Sequence, residues 1–291
     1  MSVTTGGPST AFVKQYQDTI QLLAQQAESR LRPTISVDTN FRGEQKFYDQ
    51  YNTDDMVEIV SPYADTPVQT PKHARRMVAP RYFVSNTLED PTDALQMLID
   101  PKSTYMQAKM ASAGRKQDDI IIAAMGGTAY IGKTGSSSQS LELTIASGSA
   151  GMTKAKSIEA KFKLDEGEVE KTDRFMAHSA SQLADLLNIT EVTSDDYNIV
   201  KALVQGEIDT WLGFKWVQTE RLTYNSSAAT ERYCYAYHRM AAVLAIQKDT
   251  EGRVSERPDK NYAWQVYLRL CMGATRLEEA RIVQIACVET Y

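Results

Sequence analysis

Gly127-Thr-Ala-Tyr-Ile-Gly-Lys-Thr134 matches the phosphate-loop pattern G-x-x-x-x-G-K-[ST] letter for letter. How it is read separates a nucleotide-binding α/β fold from everything else. A working loop of this kind needs a strand before it and a helix after it. Helix N-terminal N–H groups then cradle the phosphates, the lysine reaches the β/γ oxygens and the Ser/Thr hydroxyl binds Mg²⁺. Here the preceding Asp119–Met125 continues a helix already under way. The following Gly135-Ser-Ser-Ser-Gln-Ser-Leu-Glu-Leu-Thr-Ile145 is a polar turn running into β-like alternation. The stretch therefore reads as a flexible glycine turn, with Lys133 and Thr134 as loop residues. A phosphate-loop NTPase using those two residues stays as the alternative of a different class.

The helix before this turn starts at Asp100-Pro101, an N-cap followed by proline at the first helical position. Met106, Met110, Ala113, Ile120 and Ala124 hold one face, and Gly126-Gly127 ends it. A helix over about 101–125 is a rod on the order of 35 Å long. Asp90-Pro91 opens a shorter helix through Leu98 in the same way.

Further upstream, Phe12, Tyr16, Ile20, Leu23, Ala27 and Leu31 recur at steps of three or four and predict an amphipathic helix over Ala11 to Leu31. Arg32-Pro33 stops it. From Asn40 to Arg81, short β-like pieces (Met56 to Val60, Ala74 to Val78) alternate with prolines, and Lys72, His73, Arg75 and Arg76 form a basic cluster. Such a stretch, roughly forty residues long, reads as an extended two-stranded loop reaching away from the body. Subunit-contact candidates are Phe12, Tyr16 and Ile20 on the helix and Lys72, Arg75 and Arg76 on the loop.

Downstream the pattern is mixed. Strands are expected at Leu141 to Ala146, Arg174 to Ala177, Tyr262 to Leu270 and Arg281 to Val288, while Val200 to Ile208 and Thr210 to Val217 are segments broken by Gly206 and Gly213, and Tyr233 to Tyr237 leads into the helix at Arg239. Helices are expected at Thr153 to Leu164, with Ala155, Ile158 and Phe162 on one side, at Ser181 to Leu187 and at Arg239 to Ile246.

Composition narrows the function. The chain has 291 residues, 42% of them hydrophobic, and carries a formal charge of −5. That balance argues against a protein gripping nucleic acid over most of its surface. No apolar run approaches the length of a membrane span, and Met1-Ser-Val-Thr-Thr-Gly-Gly-Pro8 does not resemble a signal peptide. Cys234, Cys271 and Cys287 are far apart and read as buried free thiols. His73, His178 and His238 lack ligand-spaced partners, and Asp118-Asp119 reads as a solvated helix face. No catalytic residue, cofactor site or metal site is expected.

The order of elements resembles the major capsid proteins of tailed bacteriophages. Arg81-Tyr-Phe-Val-Ser-Asn-Thr-Leu-Glu-Asp90 looks like the strand that enters the family's spine helix. Asp100-Pro-Lys-Ser-Thr-Tyr105 and Gly114 through Ala129 look like that helix and its exit. Asp173 through Leu187 resembles the strand-to-helix entrance to the axial domain. Gly206 through Trp216, Tyr233-Cys-Tyr-Ala-Tyr-His238 and Gly273-Ala-Thr-Arg276 resemble its later elements.

The resemblance implies an α+β phage capsid fold: N-terminal arm 1–40, extended loop 41–82, peripheral domain 83–178 with the spine helix, axial domain 179–278 and a C-terminal strand 279–291 returning to the body. It implies a non-enzymatic major capsid protein that assembles with itself, as hexamers and pentamers, into an icosahedral head shell around double-stranded DNA. Separate scaffolding, portal and decoration proteins are the implied partners, with DNA in non-specific contact and no membrane. The implied location is the virion, after assembly in the host cytoplasm. An encapsulin-like compartment shell shares the fold and is the nearer alternative.

Overall fold

Lys102–Gly126 forms one continuous helix of 25 residues, α1, within a residue of its expected bounds. The computed structural model describes residues 25–51, 56–58, 61, 65–66, 68, 70, 72–89, 102–188, 210–225 and 228–289. The helix expected from Asp90 lies outside these residues. So do most of the helix expected over Ala11 to Leu31 and the candidates Phe12, Tyr16 and Ile20.

In chain order the strands before α1 are β1 (Ser36–Asp38), β2 (Lys46–Tyr51), β3 (His73–Val78) and β4 (Arg81–Glu89). After it come β5 (Ala129–Ile131), β6 (Ser137–Gln139), β7 (Thr144–Ile145), helix α2 (Lys154–Glu166), β8 (Arg174–His178) and helix α3 (Ala180–Leu187). The last set is β9 (Thr210–Trp211), β10 (Phe214–Gln218), β11 (Tyr224–Asn225), β12 (Ala228–His238), β13 (Ala242–Arg257), β14 (Ala263–Arg276) and β15 (Ile282–Val288).

These strands form three sheets. A four-stranded sheet runs β1-β13-β14-β4, and α1 packs across β13 and β14. A second four-stranded sheet, β2-β3-β5-β6, joins the root of the extended loop to the glycine turn. The third runs β7-β15-β12-β8-β10-β9, with β11 beside β12. Its centre is dry: Tyr235, Tyr237, Phe214, Met176 and Ile285 are all buried, and the Tyr237 hydroxyl meets Thr34 Oγ1 at 2.6 Å.

Several expectations are corrected. Arg239 to Ile246 is not helical. A 3₁₀ turn, Arg239–Ala241, leads into β13, whose first five residues are buried on both faces. A strand covered on both sides loses the alternation that marks a half-exposed one. Gln25 to Leu31 is irregular rather than helical, because its polar groups are drawn to α1. Asp118, expected on a solvated face, is fully buried and accepts from Gln26 Nε2 (2.5 Å), Ser29 Oγ (2.5 Å), Arg30 N (3.2 Å) and Leu31 N (3.1 Å). Gly114 permits that approach: a Cβ there would lie 2.9 Å from the Glu28 backbone. Met56 to Glu58 carries no strand.

β13 pairs with β14, and β14 with β4, beside α1. β15 sits between β7 and β12, inside the large sheet. The chain crosses between these two sheets at Arg239–Ala241 and again at Glu279–Arg281.

Helix α2 begins with Thr153 as N-cap, its hydroxyl accepting from Lys156 N at 3.3 Å. It presents the opposite face from the one its apolar spacing suggests. Lys156, Ser157, Ala160 and Leu164 are buried, while Ile158 and Phe162 face solvent.

Candidate assembly surfaces

The loop root is fixed by two arginines on one glutamate. Arg276, at the end of β14, is fully buried. Its Nη1 donates to the carbonyls of Met125 (2.9 Å) and Gly127 (2.7 Å), and its Nη2 to the Gln139 carbonyl (3.1 Å). Its Nε faces Glu279 Oε2 at 2.6 Å. Carbonyls at a helix C-terminus have no intrahelical partners and carry the negative end of the dipole, so a planar cation suits them.

Arg76 on β3 closes the cluster, donating to Leu277 O and Gln139 Oε1 (both 2.9 Å) and reaching Glu279 Oε1 at 3.5 Å. Burial pulls the Arg76 guanidinium below its usual range, and Glu279 opposes that pull. One ionic knot thus ties together the extended loop, the end of α1 and the four-stranded sheet. The Arg76 side chain is therefore engaged inside the protomer, unlike those of Lys72 and Arg75.

Lys72 and Arg75 remain exposed on the loop. Arg75 Nε pairs with Asp49 across the β2–β3 ladder at 2.5 Å. At the base, Asp38 receives Lys46 Nζ and the Tyr48 hydroxyl, the latter at 2.7 Å. Burial raises the Asp38 carboxyl, but hydrogen bonds from Lys46, Tyr48 and the Asn40 N–H outweigh it and hold it below the usual range. Farther out, Met56, Val57 and Val68 are exposed, Met56 and Val68 almost completely.

Lys133 and Thr134 sit at the tip of the β5–β6 hairpin, exposed to solvent. Gly132 and Gly135 turn the chain at φ +92° and +70°. The Gly132 N–H donates to Arg75 O at 3.3 Å, and Thr134 Oγ1 meets Ser136 Oγ at 3.0 Å. A strand, not a helix, follows, so the phosphate cradle is not formed and the NTPase alternative loses its geometry.

Two further surfaces escaped the sequence reading. β4 is an edge strand whose outer face carries exposed Tyr82, Val84 and Leu88. Its inner face packs Phe83 toward α1, where Lys116 Nζ lies 4.7 Å from the ring centroid. The alternation in Arg81–Glu89 is its only sequence signal. The second is the outward face of α2. Among the described residues no helix is long and apolar enough to cross a membrane, and all three cysteines are free and buried.

The phage capsid protein family model matches residues 9–289. The chain belongs to the phage capsid protein family. Solved structures share the fold of this capsid protein at low identity. The capsid structure of cyanophage P-SCSP1u aligns with a TM-score of 0.75 and 15% identity, covering 99% of this chain and 96% of that one. The cyanophage Pam1 capsid aligns at 0.74 and 12% identity, covering 99% and 98%. A chain from Mycobacterium phage Che8 aligns at 0.73 and 14% identity, covering 94% and 96%. No curated protein matches the capsid protein in sequence.

Proposed function

We infer that this chain is the major capsid subunit of a tailed phage and assembles with itself into the icosahedral head shell. The family match across residues 9–289 carries the reading. The subunit acts as a building block rather than a catalyst, arranged as pentamers and hexamers. The peripheral body comprises α1 with β4, β13 and β14, and the axial domain is the seven-stranded sheet, β15 included. The N-terminal arm 1–40, through Phe12, Tyr16 and Ile20, and the extended loop 41–82, through Lys72 and Arg75, reach onto neighbouring subunits.

The shell encloses double-stranded DNA in non-specific contact, and a charge of −5 suits a wall that holds DNA without gripping it. Scaffolding, portal and decoration proteins are separate chains. Assembly takes place in the host cytoplasm and the protein ends in the virion. Sedimentation velocity and negative-stain microscopy of the purified chain test this reading. Rings or closed shells are expected, and a protein that remains monomeric or dimeric under all assembly conditions overturns it. Protein cargo in place of DNA inside particles recovered from cells would move the assignment to a compartment shell.

A further inference from the structure

The seam between α1 and the edge strand β4 holds a buried charge that nothing balances. On α1, Tyr105, Lys109, Ser112 and Lys116 follow at steps of four, three and four, so they share one face. Ser85 of β4 lies opposite them. Lys109 is 6% exposed, and its Nζ donates to Ser85 Oγ at 3.1 Å. An ammonium has three N–H donors to place. Among the described residues this one meets no second acceptor and no carboxylate. Burial pulls the Lys109 ammonium below its ordinary range, and no neighbouring charge opposes the pull.

The other buried cations among the described residues are treated differently. Arg76, Arg174, Arg232 and Arg276 each face a carboxylate. Lys156 Nζ donates to three main-chain carbonyls, Ala150 (2.7 Å), Gly151 (2.8 Å) and Ala286 (3.0 Å). Lys109 has one neutral hydroxyl instead, and a buried charge left in that state is costly. It also borders empty volume. A cavity of about 240 Å³ is lined by Ser85, Thr87, Tyr105, Lys109 and Ser112. A second, of about 200 Å³, shares Ser85, Lys109 and Ser112 and reaches Lys116. Either has room for several groups the size of a water, about 30 Å³ each. Neither lining contains an acidic side chain.

We propose that this seam binds a small phosphate-class oxyanion, with Lys109 and Lys116 supplying the charge and the Ser85 and Ser112 hydroxyls supplying hydrogen bonds. The ion completes Lys109 as carboxylates and carbonyls complete the other buried cations, through short charge-assisted bonds. Donors reach the cavity from both walls, strand and helix, and a tetrahedral ion has acceptor oxygens for each. The site belongs to the single chain and stands apart from the capsid reading. It is also separate from the Gly127–Thr134 turn, whose Lys133 is exposed at a hairpin tip.

Titration calorimetry with inorganic phosphate, against sodium chloride at matched ionic strength, tests the site. Saturable binding is expected, with a melting temperature that rises with phosphate concentration. Lys109→Met is expected to weaken binding about tenfold or more. In chloride the same variant should melt at or above the wild-type temperature, because an apolar side chain replaces an uncompensated buried charge. Ser112→Ala and Lys116→Gln should each weaken binding a few-fold, and Lys133→Ala should bind as wild type does. No saturable binding by the wild type, or unchanged binding by Lys109→Met, overturns the site. Should Lys109→Met fail to fold, unchanged binding by both Ser112→Ala and Lys116→Gln overturns it equally. Loss of binding in Lys133→Ala does so too, by moving the ion to the glycine turn. A short DNA duplex that binds through Lys109 while phosphate does not also overturns it, because the groove then holds a strand and not a small ion.

Discussion

Arg276 and Glu279 face each other three residues apart, Nε to Oε2 at 2.6 Å, with side chains 0% and 9% exposed. Neither charge has water to fall back on, so each depends on the other and on the surrounding carbonyls. Removing one partner of a buried pair commonly costs about 3–5 kcal/mol, because the survivor is left uncompensated. Arg276→Met also strips donors from Met125 O, Gly127 O and Gln139 O. Urea unfolding of Arg276→Met should show a loss in that range. A loss below about 1 kcal/mol, typical of exposed pairs, would mean the knot is not what holds the loop root.

The glycine turn gives a sharper contrast. Gly135 sits at φ +70°, and a Cβ there would lie 2.3 Å from Met77 Sδ. Gly135→Ala should therefore cost about 1–3 kcal/mol, from backbone strain and displacement of Met77. Lys133→Ala, at the solvated tip, should stay within about 0.5 kcal/mol of wild type. Thermal melts of the two variants decide it. ATP binding lost on Lys133→Ala would reinstate the chemistry that the hairpin geometry removes.

Stability should fall on mild acidification. His178 is buried beside Trp216, ring centroids 5.4 Å apart, and Nδ1 meets Ser179 O at 3.0 Å. Burial pushes its pKa below the ordinary value, outweighing the opposing pull of the Ser179 carbonyl and Glu220. His238 shifts the same way, through burial and the nearby Arg281 and Arg174. Above about pH 6.5 both imidazoles are neutral in the folded and unfolded chain. Below it the unfolded chain takes up protons that the folded chain refuses, so stability drops until the folded pKa is reached. The slope is at most about 1.4 kcal/mol per pH unit per histidine. Asp38, Glu220 and Asp249, whose carboxyls lie below their ordinary values, add a separate loss only in stronger acid. Urea midpoints between about pH 7.5 and 5 should decline for wild type and flatten in His178→Gln. An unchanged slope in that variant would assign the decline elsewhere.

Deleting residues 42–80 should leave a soluble body that cannot close a shell. The deletion removes the β2–β3 pair and Arg76, while α1, the large sheet and the β13–β14 pair keep their own packing. Electron microscopy of the truncated protein reads the outcome directly. Intact particles would show that the loop is dispensable for closure.

Much of the frame is legible in the chain. The glycine stop of α1, the alternation in β14 and the span of α2 from Thr153 each rest on neighbours within a turn or two, where sequence and geometry are tightly coupled. What is illegible depends on distant partners. Arg276 finds its carbonyls some 150 residues upstream, at Met125 and Gly127. Gln25 to Leu31 gives up its helix to Asp118, about 90 residues away. The spacing marks Ala155, Ile158 and Phe162 as one side of α2. Spacing alone does not say whether a stripe meets the protomer's own core, and the buried Lys156 on the opposite side shows that this one does not.

The placement of β15 also bears on how the protein is made. Thr144 and Ile145 pair with Gln284 and Ile285, and Tyr233 through Tyr237 pair with residues 282–286, so β7 and β12 are joined in the large sheet by a strand that follows both of them in the chain. A nascent chain that stalls early lacks this strand and leaves β12 with an open edge. Such dominance of long-range pairing slows folding. It also makes the completed sheet a proofreading mark, because a chain truncated before residue 282 cannot join β7 to β12.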